Sequence, residues 1–232
     1  MAMTFAITPP PQATVPVQGG DPFPVRRIYC VGRNYAAHAR EMGHDPDREP
    51  PFFFMKPADA IAFDGSNIDY PPATSDLHHE IELVVALSKG GVNIPEDQAL
   101  DHVFGYTVGL DMTRRDLQGE AKTKGRPWDT GKGFDNSAPM GALRTVADVG
   151  HPTDARISLI VNGDLRQEGT VNQMIWNVPE TIAYLSGLFE LQPGDMIMTG
   201  TPEGVAAVGP GDRLEGEVAG IATLSITYNP KS

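Results

Sequence analysis

The sequence predicts a strand-dominated α+β fold, a mixed β-roll or β-sandwich with short peripheral helices. Short apolar segments rich in β-branched and aromatic residues recur along the chain, whereas helical patterns are few and short. Several of these segments are separated only by tight turns, which indicates antiparallel pairing of neighbouring strands. Strands and helices do not alternate regularly, so a doubly wound sheet or a barrel of parallel strands is not expected.

The length, net charge and cysteine content limit the kinds of fold and partner to be expected. The chain has 232 residues and a net charge of −12, which suits one large domain and disfavours nucleic acid or an anionic membrane as a partner. It contains one cysteine, Cys30, so no internal disulfide can form. No apolar run approaches membrane-spanning length and no secretory signal is visible. We therefore expect a cytoplasmic protein whose partner is a small molecule.

The N-terminal segment is rich in proline. Proline fixes the backbone and removes a hydrogen-bond donor, so a helix is excluded in this segment. We expect an extended arm over residues 1–24, with one short strand around Thr14 to Gln18. A single domain is expected over residues 25–232.

This domain is predicted to begin with a strand from Val25 to Val31 that ends at Gly32. Asn34 is a suitable N-cap for a short helix from Tyr35 to Met42. The polar, proline-flanked loop over residues 43–51 would leave that helix able to move as a lid.

His38 and Glu41 lie three residues apart on the predicted lid helix, and hence on one face of it. A carboxylate in this position can fix the imidazole tautomer and raise its basicity, as in an acid–base dyad. The same spacing is common in ion pairs on helix surfaces. The residue pattern leaves both interpretations open.

Three strands are predicted next, at Phe52–Met55, at Ile61–Tyr70 with a break at Asp64-Gly65, and at His79–Leu87. Side chains alternate along a strand, so Glu80 and Glu82 point to the same face of the third strand. Two like charges beside an apolar run repel each other, and a bound divalent cation would remove the repulsion. Carboxylate ligands favour Mg²⁺, Mn²⁺ or Ca²⁺ over zinc. The alternative is a half-exposed strand whose acids are solvated.

Asp111 follows an apolar strand predicted from Val103 to Leu110. It could cap the amphipathic helix that is predicted from Thr113 to Lys124. With Glu80 and Glu82 it would instead complete a set of three carboxylates from two strands, which suits an octahedral cation with open positions for water and substrate.

Lys132 lies between two glycines in a predicted loop from Trp128 to Asn136. Its charge could offset the negative charge that three carboxylates leave beside a divalent ion. The spacing of a phosphate-binding loop is missing. A solvated lysine is the alternative.

The remaining predicted elements are a helical turn at Pro95–Leu100, a hairpin with strands Ile157–Val161 and Asp164–Glu168, a helix from Val178 to Phe189, a strand from Met196 to Thr199, and final strands Arg213–Val218 and Ile221–Tyr228. Thr199 and Thr201 flank Gly200 at a strand end. Hydroxyl and backbone N–H groups at this position could hold an oxyanion or carboxylate, unless the segment is only a turn.

Six segments together resemble the fumarylacetoacetate hydrolase family. They follow the family's order from about residue 25 to the C-terminus: residues 31–38 (VGRNYAAH), 54–57 (FMKP), 79–83 (HEIEL), 109–118 (GLDMTRRDLQ), 132–135 (KGFD) and 199–205 (TGTPEGV). The resemblance implies the mixed β-roll catalytic domain of that family over residues 25–232, and a homodimer as the usual smallest assembly.

The resemblance also implies the roles of six residues. An Mg²⁺ or Mn²⁺ ion would be held by Glu80, Glu82 and Asp111. The pair that activates water would be His38 and Glu41 on the lid, and the catalytic lysine that contacts substrate would be Lys132.

The activity implied by the resemblance is metal-dependent hydrolysis of a carbon–carbon bond in a 2,4-diketo acid, that is, an acylpyruvate. Residues 36–43 and 45–54 resemble the branch of the family that acts on fumarylpyruvate in aromatic (gentisate) degradation. Decarboxylation of oxaloacetate and isomerisation of a 2-hydroxydienoate are the alternatives within the family. A non-catalytic binding module is the alternative outside it, and the intact set of acid–base residues argues against that.

The predicted substrate contacts are Arg33, Lys56, Arg115, Gln118 and Thr201. The distal carboxylate of fumarylpyruvate would need a cation. Arg33, Arg40, Lys56 and Arg115 are the candidates, and the sequence does not rank them.

Overall fold

The computed structural model describes residues 4–36 and 49–230. Its strands are β1 (Thr14–Val15), β2 (Phe23–Pro24), β3 (Arg27–Gly32), β4 (Phe52–Lys56), β5 (Ile61–Phe63), β6 (Asn67–Ile68), β7 (Leu77–His78), β8 (Ile81–Leu87), β9 (Val103–Leu110), β10 (Thr113–Arg114), β11 (Ala138–Met140), β12 (Arg144–Thr145), β13 (Arg156–Val161), β14 (Asp164–Thr170), β15 (Asp195–Met198), β16 (Ala207–Val208), β17 (Arg213–Val218) and β18 (Ala222–Tyr228). The α-helices of these residues are Arg115–Thr123, Asp129–Lys132, Val146–Val149 and Val178–Leu188, and 3₁₀ turns lie at Ala58–Ala60, Glu96–His102 and Val171–Gln173.

Two mixed sheets dominate the architecture. The larger has the order β4-β3-β15-β8-β9-β11-β5, with β12 also paired to β9, and the second has the order β14-β13-β17-β18-β6. In the larger sheet β8 is antiparallel to both β9 and β15, whereas β15 is parallel to β3. The strand-dominated mixed β-roll that the sequence predicts is therefore confirmed.

Strand β8 is buried along its whole length because both faces of its sheet are covered. Leu83 and Val85 on one face belong to the larger core, which the second sheet also lines. Val84 on the other face belongs to a smaller core with Cys30 and Met198. This burial explains the nearly continuous apolar run, since a strand covered on both faces needs apolar residues at odd and even positions.

The hairpin of β13 and β14 turns at Asn162-Gly163, as predicted. Both residues have positive φ, 53° and 88°, which is the conformation of the two-residue turns that Asn-Gly favours. The hairpin places β14 beside the larger sheet's loops, where it supplies one buried polar residue to the site described below.

Several predicted boundaries differ from the structure. The predicted strand Ile61–Tyr70 is two short strands, β5 and β6, that belong to different sheets on either side of a turn at Gly65. The predicted helix Thr113–Lys124 begins later, at Arg115, because Thr113 and Arg114 pair with β7. The loop predicted around Lys132 contains the helical turn Asp129–Lys132. The predicted lid helix lies largely outside the described residues.

Residues 13–25 are bound to the body of the fold. β1 pairs with β2, and Val15 and Phe23 are buried in the smaller core. The backbone of Gln18 donates to the carbonyl of Leu143 at 2.9 Å. The division at residue 25 between an arm and a domain stays a prediction. Among the helices of residues 4–36 and 49–230, none has the length and apolar character needed to cross a bilayer.

Candidate active site

Glu80, Glu82 and Asp111 come together where β8 begins and β9 ends. The two strands are antiparallel, with Ile81 opposite Leu110, so the residue before β8 faces the residue after β9. One oxygen of each carboxylate lies within 4.8 Å of an oxygen of the other two. All three side chains are buried, with relative exposures of 6%, 2% and 1%.

The electrostatics of this acidic cluster suit a bound cation. Burial raises the pKa of Glu82 well above its usual range, and the Asp111 and Glu80 carboxylates raise it further. The Oδ1 atom of Asp111 is buried and accepts no hydrogen bond. Lys56 Nζ lies 2.9 Å away, but without the alignment of a hydrogen bond. Three buried carboxylates form a hard donor set, which could hold a divalent metal ion.

Lys132 is buried beside the cluster and is not a solvated loop residue. Its Nζ lies 2.9 Å from Glu80 Oε2 and 2.7 Å from Asp111 Oδ2. Burial disfavours its charge, but the carboxylates of Asp111 and Glu80 outweigh that effect and raise the pKa of Lys132. The lysine therefore stays an ammonium at the floor of the site.

Lys56 is held within the protein interior. Its Nζ donates to the backbone oxygens of Met112, at 3.0 Å, and Lys132. It is 2% exposed and does not line the pocket described next. The structure thus places Lys56 as a support for Asp111 and the backbone on either side of the cluster.

A pocket opens above the acidic cluster. Its lining includes Glu80, Glu82 and Lys132, together with Gly200 and Thr201. The pocket therefore gives a small ligand access to two of the three carboxylates.

One wall of the pocket is a face of the helix Arg115–Thr123. Arg115, Gln118 and Lys122, at positions i, i+3 and i+7, line it. Arg115 Nη2 lies 2.5 Å from Glu80 Oε1, and Arg115 Nη1 donates to Gln118 Oε1 at 2.7 Å. Lys122 is a pocket residue that the sequence analysis missed, although its spacing from Arg115 and Gln118 was a usable signal.

The predicted pair of threonines divides into two roles. Thr199 Oγ1 donates to the carbonyl of Leu83 at 2.9 Å, so its hydroxyl is used within the fold. Thr201 lines the pocket, and its Oγ1 accepts from Gln167 Nε2 at 2.8 Å. The backbone N–H of Gly200 donates to Glu82 Oε2 at 2.7 Å.

Gln167 forms hydrogen bonds both with residues at the start of β8 and with the loop that contains Thr201. Its Oε1 lies 2.8 Å from His79 Nδ1 and accepts from Ile81 N at 3.1 Å, and its Nε2 also donates to Pro202 O at 2.9 Å. It is a buried residue between exposed neighbours on β14. Strand alternation predicts one buried face here, but nothing in the sequence marks this glutamine as a connector.

Asn34 holds the chain just before residues 37–48. Its side chain donates to the carbonyls of Trp176 and Thr199, at 2.8 and 2.7 Å, and accepts from Trp176 N at 2.7 Å. It therefore bridges two loops, in addition to any capping role. His38, Arg40 and Glu41 lie outside the described residues, so the predicted dyad stays a prediction.

Comparisons with known proteins show which family the chain matches. The family model described as "Fumarylacetoacetate (FAA) hydrolase C-terminal" matches residues 27–228. Fumarylpyruvate hydrolase of Ralstonia sp is 47% identical over 191 residues, 82% of this chain and 99% of that protein. The mitochondrial oxaloacetate tautomerase FAHD1 of Homo sapiens is 44% identical over 200 residues, 86% of this chain and 90% of that protein.

A solved structure gives the same picture. The crystal structure of fumarylpyruvate hydrolase from Pseudomonas aeruginosa in complex with Mn²⁺ and pyruvate is 54% identical, with a TM-score of 0.95 over 98% of this chain and 100% of that one. The fold, the residues matched by the family model and the names of these relatives all indicate the same family. The chain is therefore an enzyme, a hydrolase that acts on carbon–carbon bonds, and it belongs to the fumarylacetoacetate hydrolase family.

Proposed function

We propose that this enzyme hydrolyses a carbon–carbon bond of a 2,4-diketo acid with the help of a divalent metal ion, and that fumarylpyruvate is its preferred substrate. The observation that carries the proposal is the cluster of Glu80, Glu82 and Asp111, with oxygens within 4.8 Å, beside a pocket that two of these carboxylates line. The names of the relatives from Ralstonia sp and Pseudomonas aeruginosa support the substrate class.

The metal proposed for Glu80, Glu82 and Asp111 is Mg²⁺ or Mn²⁺. When bound, such an ion supplies Lewis-acid polarisation of substrate oxygens. Lys132 places a buried ammonium next to the same carboxylates. It stabilises the negative charge that develops on the substrate during bond cleavage. Thr201 and Gln118, on opposite sides of the pocket, orient the substrate.

Water activation is assigned to His38 and Glu41, on the basis of the family resemblance. Glu41 orients the imidazole, and His38 takes a proton from water. The water oxygen then attacks the 4-carbonyl carbon, and the bond between C3 and C4 breaks with its electron pair on C3. Return of the proton to C3 gives pyruvate, and the other fragment leaves as a carboxylic acid, fumarate in the preferred case.

Three further properties belong to this proposal. We propose a homodimer as the assembly, a cytoplasmic location, and a catalytic domain that extends over residues 25–232 with residues 1–24 as an arm.

A substrate panel tests the proposed reaction. The loss of enol absorbance is followed for fumarylpyruvate, acetylpyruvate and oxaloacetate, with Mg²⁺ or Mn²⁺ and with a chelator, and pyruvate and fumarate are quantified. We expect metal-dependent release of both acids, with the highest kcat/KM for fumarylpyruvate. Equal release of pyruvate in excess chelator, or no release from any acylpyruvate, would contradict the proposal.

Tautomerisation of oxaloacetate is the second candidate function. Relatives named oxaloacetate tautomerase favour it, and they cover most of this chain. That reaction moves a proton without breaking the carbon skeleton. In the same panel it would change the enol absorbance of oxaloacetate and release no pyruvate from any substrate.

A further inference from the structure

Two cations that line the pocket are not used by the proposed chemistry. Arg33 and Lys122 both line the pocket, and Arg33 is half-buried while Lys122 is exposed. Within residues 4–36 and 49–230, neither side chain forms an ion pair with a carboxylate, whereas Arg115 pairs with Glu80 and Lys132 pairs with Glu80 and Asp111. Cations that line a cleft without a carboxylate partner can attract an anionic ligand, even in a chain of net charge −12.

The position of Lys122 is set by its helix. It follows Arg115 and Gln118 on the face of the helix that forms the pocket wall, and it is one turn beyond Gln118. Partial burial lowers the pKa of Lys122, and the positive charges of Arg33 and Arg115 lower it further. The three cations therefore lie close enough to repel one another, and an anion between them would relieve that repulsion.

The side chain of Arg33 is positioned by contacts with aromatic residues. The guanidinium lies over the ring of Phe52, 5.3 Å from the ring centroid, and Phe52 packs edge-on against Trp128 at 5.5 Å. A Cβ at Gly32 would lie 2.0 Å from the Phe52 ring, so only glycine allows this packing. Arg33 itself has a positive φ of 57°, a conformation that costs free energy and is typical of functional positions.

We propose that Lys122, together with Arg33, binds a second carboxylate at the far end of the substrate and so selects diketo acids that carry two carboxylates. This inference rests on the proposed function for the position of the reacting end. It also favours Arg33 over Lys56 and Arg115, because those two already pair with Asp111 and Glu80, whereas Arg40 lies outside the described residues. A guanidinium and an ammonium are both suited to a carboxylate in a partly buried site.

The test compares Lys122→Met with a matched control, Lys124→Met. Lys124 follows the last residue of the same helix and carries the same charge, but it pairs with Glu120 and does not line the pocket. The measured quantity is the ratio of kcat/KM for fumarylpyruvate to kcat/KM for acetylpyruvate, which lacks the second carboxylate. Loss of a charged hydrogen bond should lower this ratio by about tenfold to a hundredfold in Lys122→Met. Lys124→Met should keep the wild-type ratio.

A binding measurement separates the subsite from the reaction. Fumarate and its monomethyl ester are titrated calorimetrically into the wild type and both variants in the presence of Mn²⁺. We expect the wild type and Lys124→Met to prefer fumarate, and Lys122→Met to lose that preference. If acylpyruvates are not hydrolysed but this pattern appears, the proposed function fails and the subsite stands. The subsite would be overturned if Lys122→Met kept the wild-type ratio of kcat/KM values and the wild-type preference for fumarate. Equal losses of kcat/KM for the two substrates leave that ratio unchanged and count as the same result.

Discussion

At the scale of single residues, the acidic cluster is a balance of opposing charges. Glu80 is held by Arg115 and Lys132, and Asp111 by Lys132 and Lys56. Glu82 differs, since it accepts a hydrogen bond from the Gly200 backbone N–H and forms no ion pair with another described residue. Its raised pKa indicates that the ionised form costs free energy in the protein without metal.

This imbalance predicts the behaviour of Glu82→Gln. The variant keeps an oxygen for the Gly200 N–H but loses the charge, so without metal it should be at least as stable as the wild type. A ligand at a hundred times its Kd stabilises by about 2.7 kcal/mol, so Mn²⁺ should raise the Tm of the wild type and leave that of Glu82→Gln nearly unchanged. Thermal unfolding with and without Mn²⁺ measures both effects, and an equal rise in the two proteins would refute the assignment of Glu82 as a ligand.

At the scale of elements, the helix Arg115–Thr123 matters most, because its face forms a pocket wall. Its first turn is fixed to the loop before β7 by Asp116, which accepts from Thr74 Oγ1 at 2.7 Å, Ser75 N at 3.1 Å and Leu117 N at 2.8 Å. Slight burial disfavours the charge of Asp116, but these hydrogen bonds outweigh it and lower the pKa of Asp116 below 3.8.

A carboxyl group whose pKa is lowered by folding stabilises the folded state at pH values above its unfolded-state pKa. This stabilisation is lost as the pH falls through the folded-state pKa. Asp116→Ala should therefore lower the free energy of unfolding at pH 7 by up to about 1 kcal/mol, since the lost hydrogen bonds are exposed to solvent, and the difference from the wild type should shrink near pH 3. Urea unfolding at both values measures it. Asp154→Ala, at an exposed acid without a side-chain hydrogen bond in the described structure, is the control. A deficit for Asp116→Ala that does not change with pH would count against this explanation.

Element boundaries show where local patterns stop being sufficient. The sequence predicts one strand over residues 61–70 with a break at Asp64-Gly65, yet β5 and β6 pair with strands 77 and 160 residues away in sequence, Ala138–Met140 and Ala222–Tyr228. Thr113 and Arg114 fit a helical pattern, but pairing with β7 takes them into a strand. In both cases the partner strand is distant in the chain, and a local window contains no information about it.

At the scale of the whole molecule, the N-terminal residues divide into a free part and a packed part. Residues 4–11 are exposed, whereas Val15 and Phe23 are buried in the smaller core behind β8. The packed part therefore contributes to the same core that supports the strand of Glu82.

Two truncations test this division. Deletion of residues 1–11 should leave the Tm nearly unchanged. Deletion of residues 1–24 removes Val15 and Phe23 from the core, and should cost about 3 to 6 kcal/mol at 1.5–3 kcal/mol for each buried side chain. Thermal and urea unfolding of both proteins measure the difference. Equal stability of the two truncated proteins would mean that residues 12–24 are a dispensable arm.

The sequence by itself determined the strand-rich fold class, the Asn-Gly hairpin and the side-chain alternation that puts Glu80 and Glu82 on one face. These depend on neighbours within a few residues, and local steric and apolar patterns are sufficient to predict them. The residue pattern also offered Asp111 as a third carboxylate and Lys132 as a balancing charge, each with an open alternative, and the family resemblance implied that both belong with them.

Only the tertiary structure decided which cations pair with which acids. It placed Lys56 in the interior, Arg115 on Glu80, Gln167 between His79 and Thr201, and Lys122 on the pocket wall beside Arg33. These contacts join residues that are tens of positions apart or on different elements. Their distances depend on how strands β8, β9 and β14 and the helix Arg115–Thr123 pack together, which no local sequence pattern encodes.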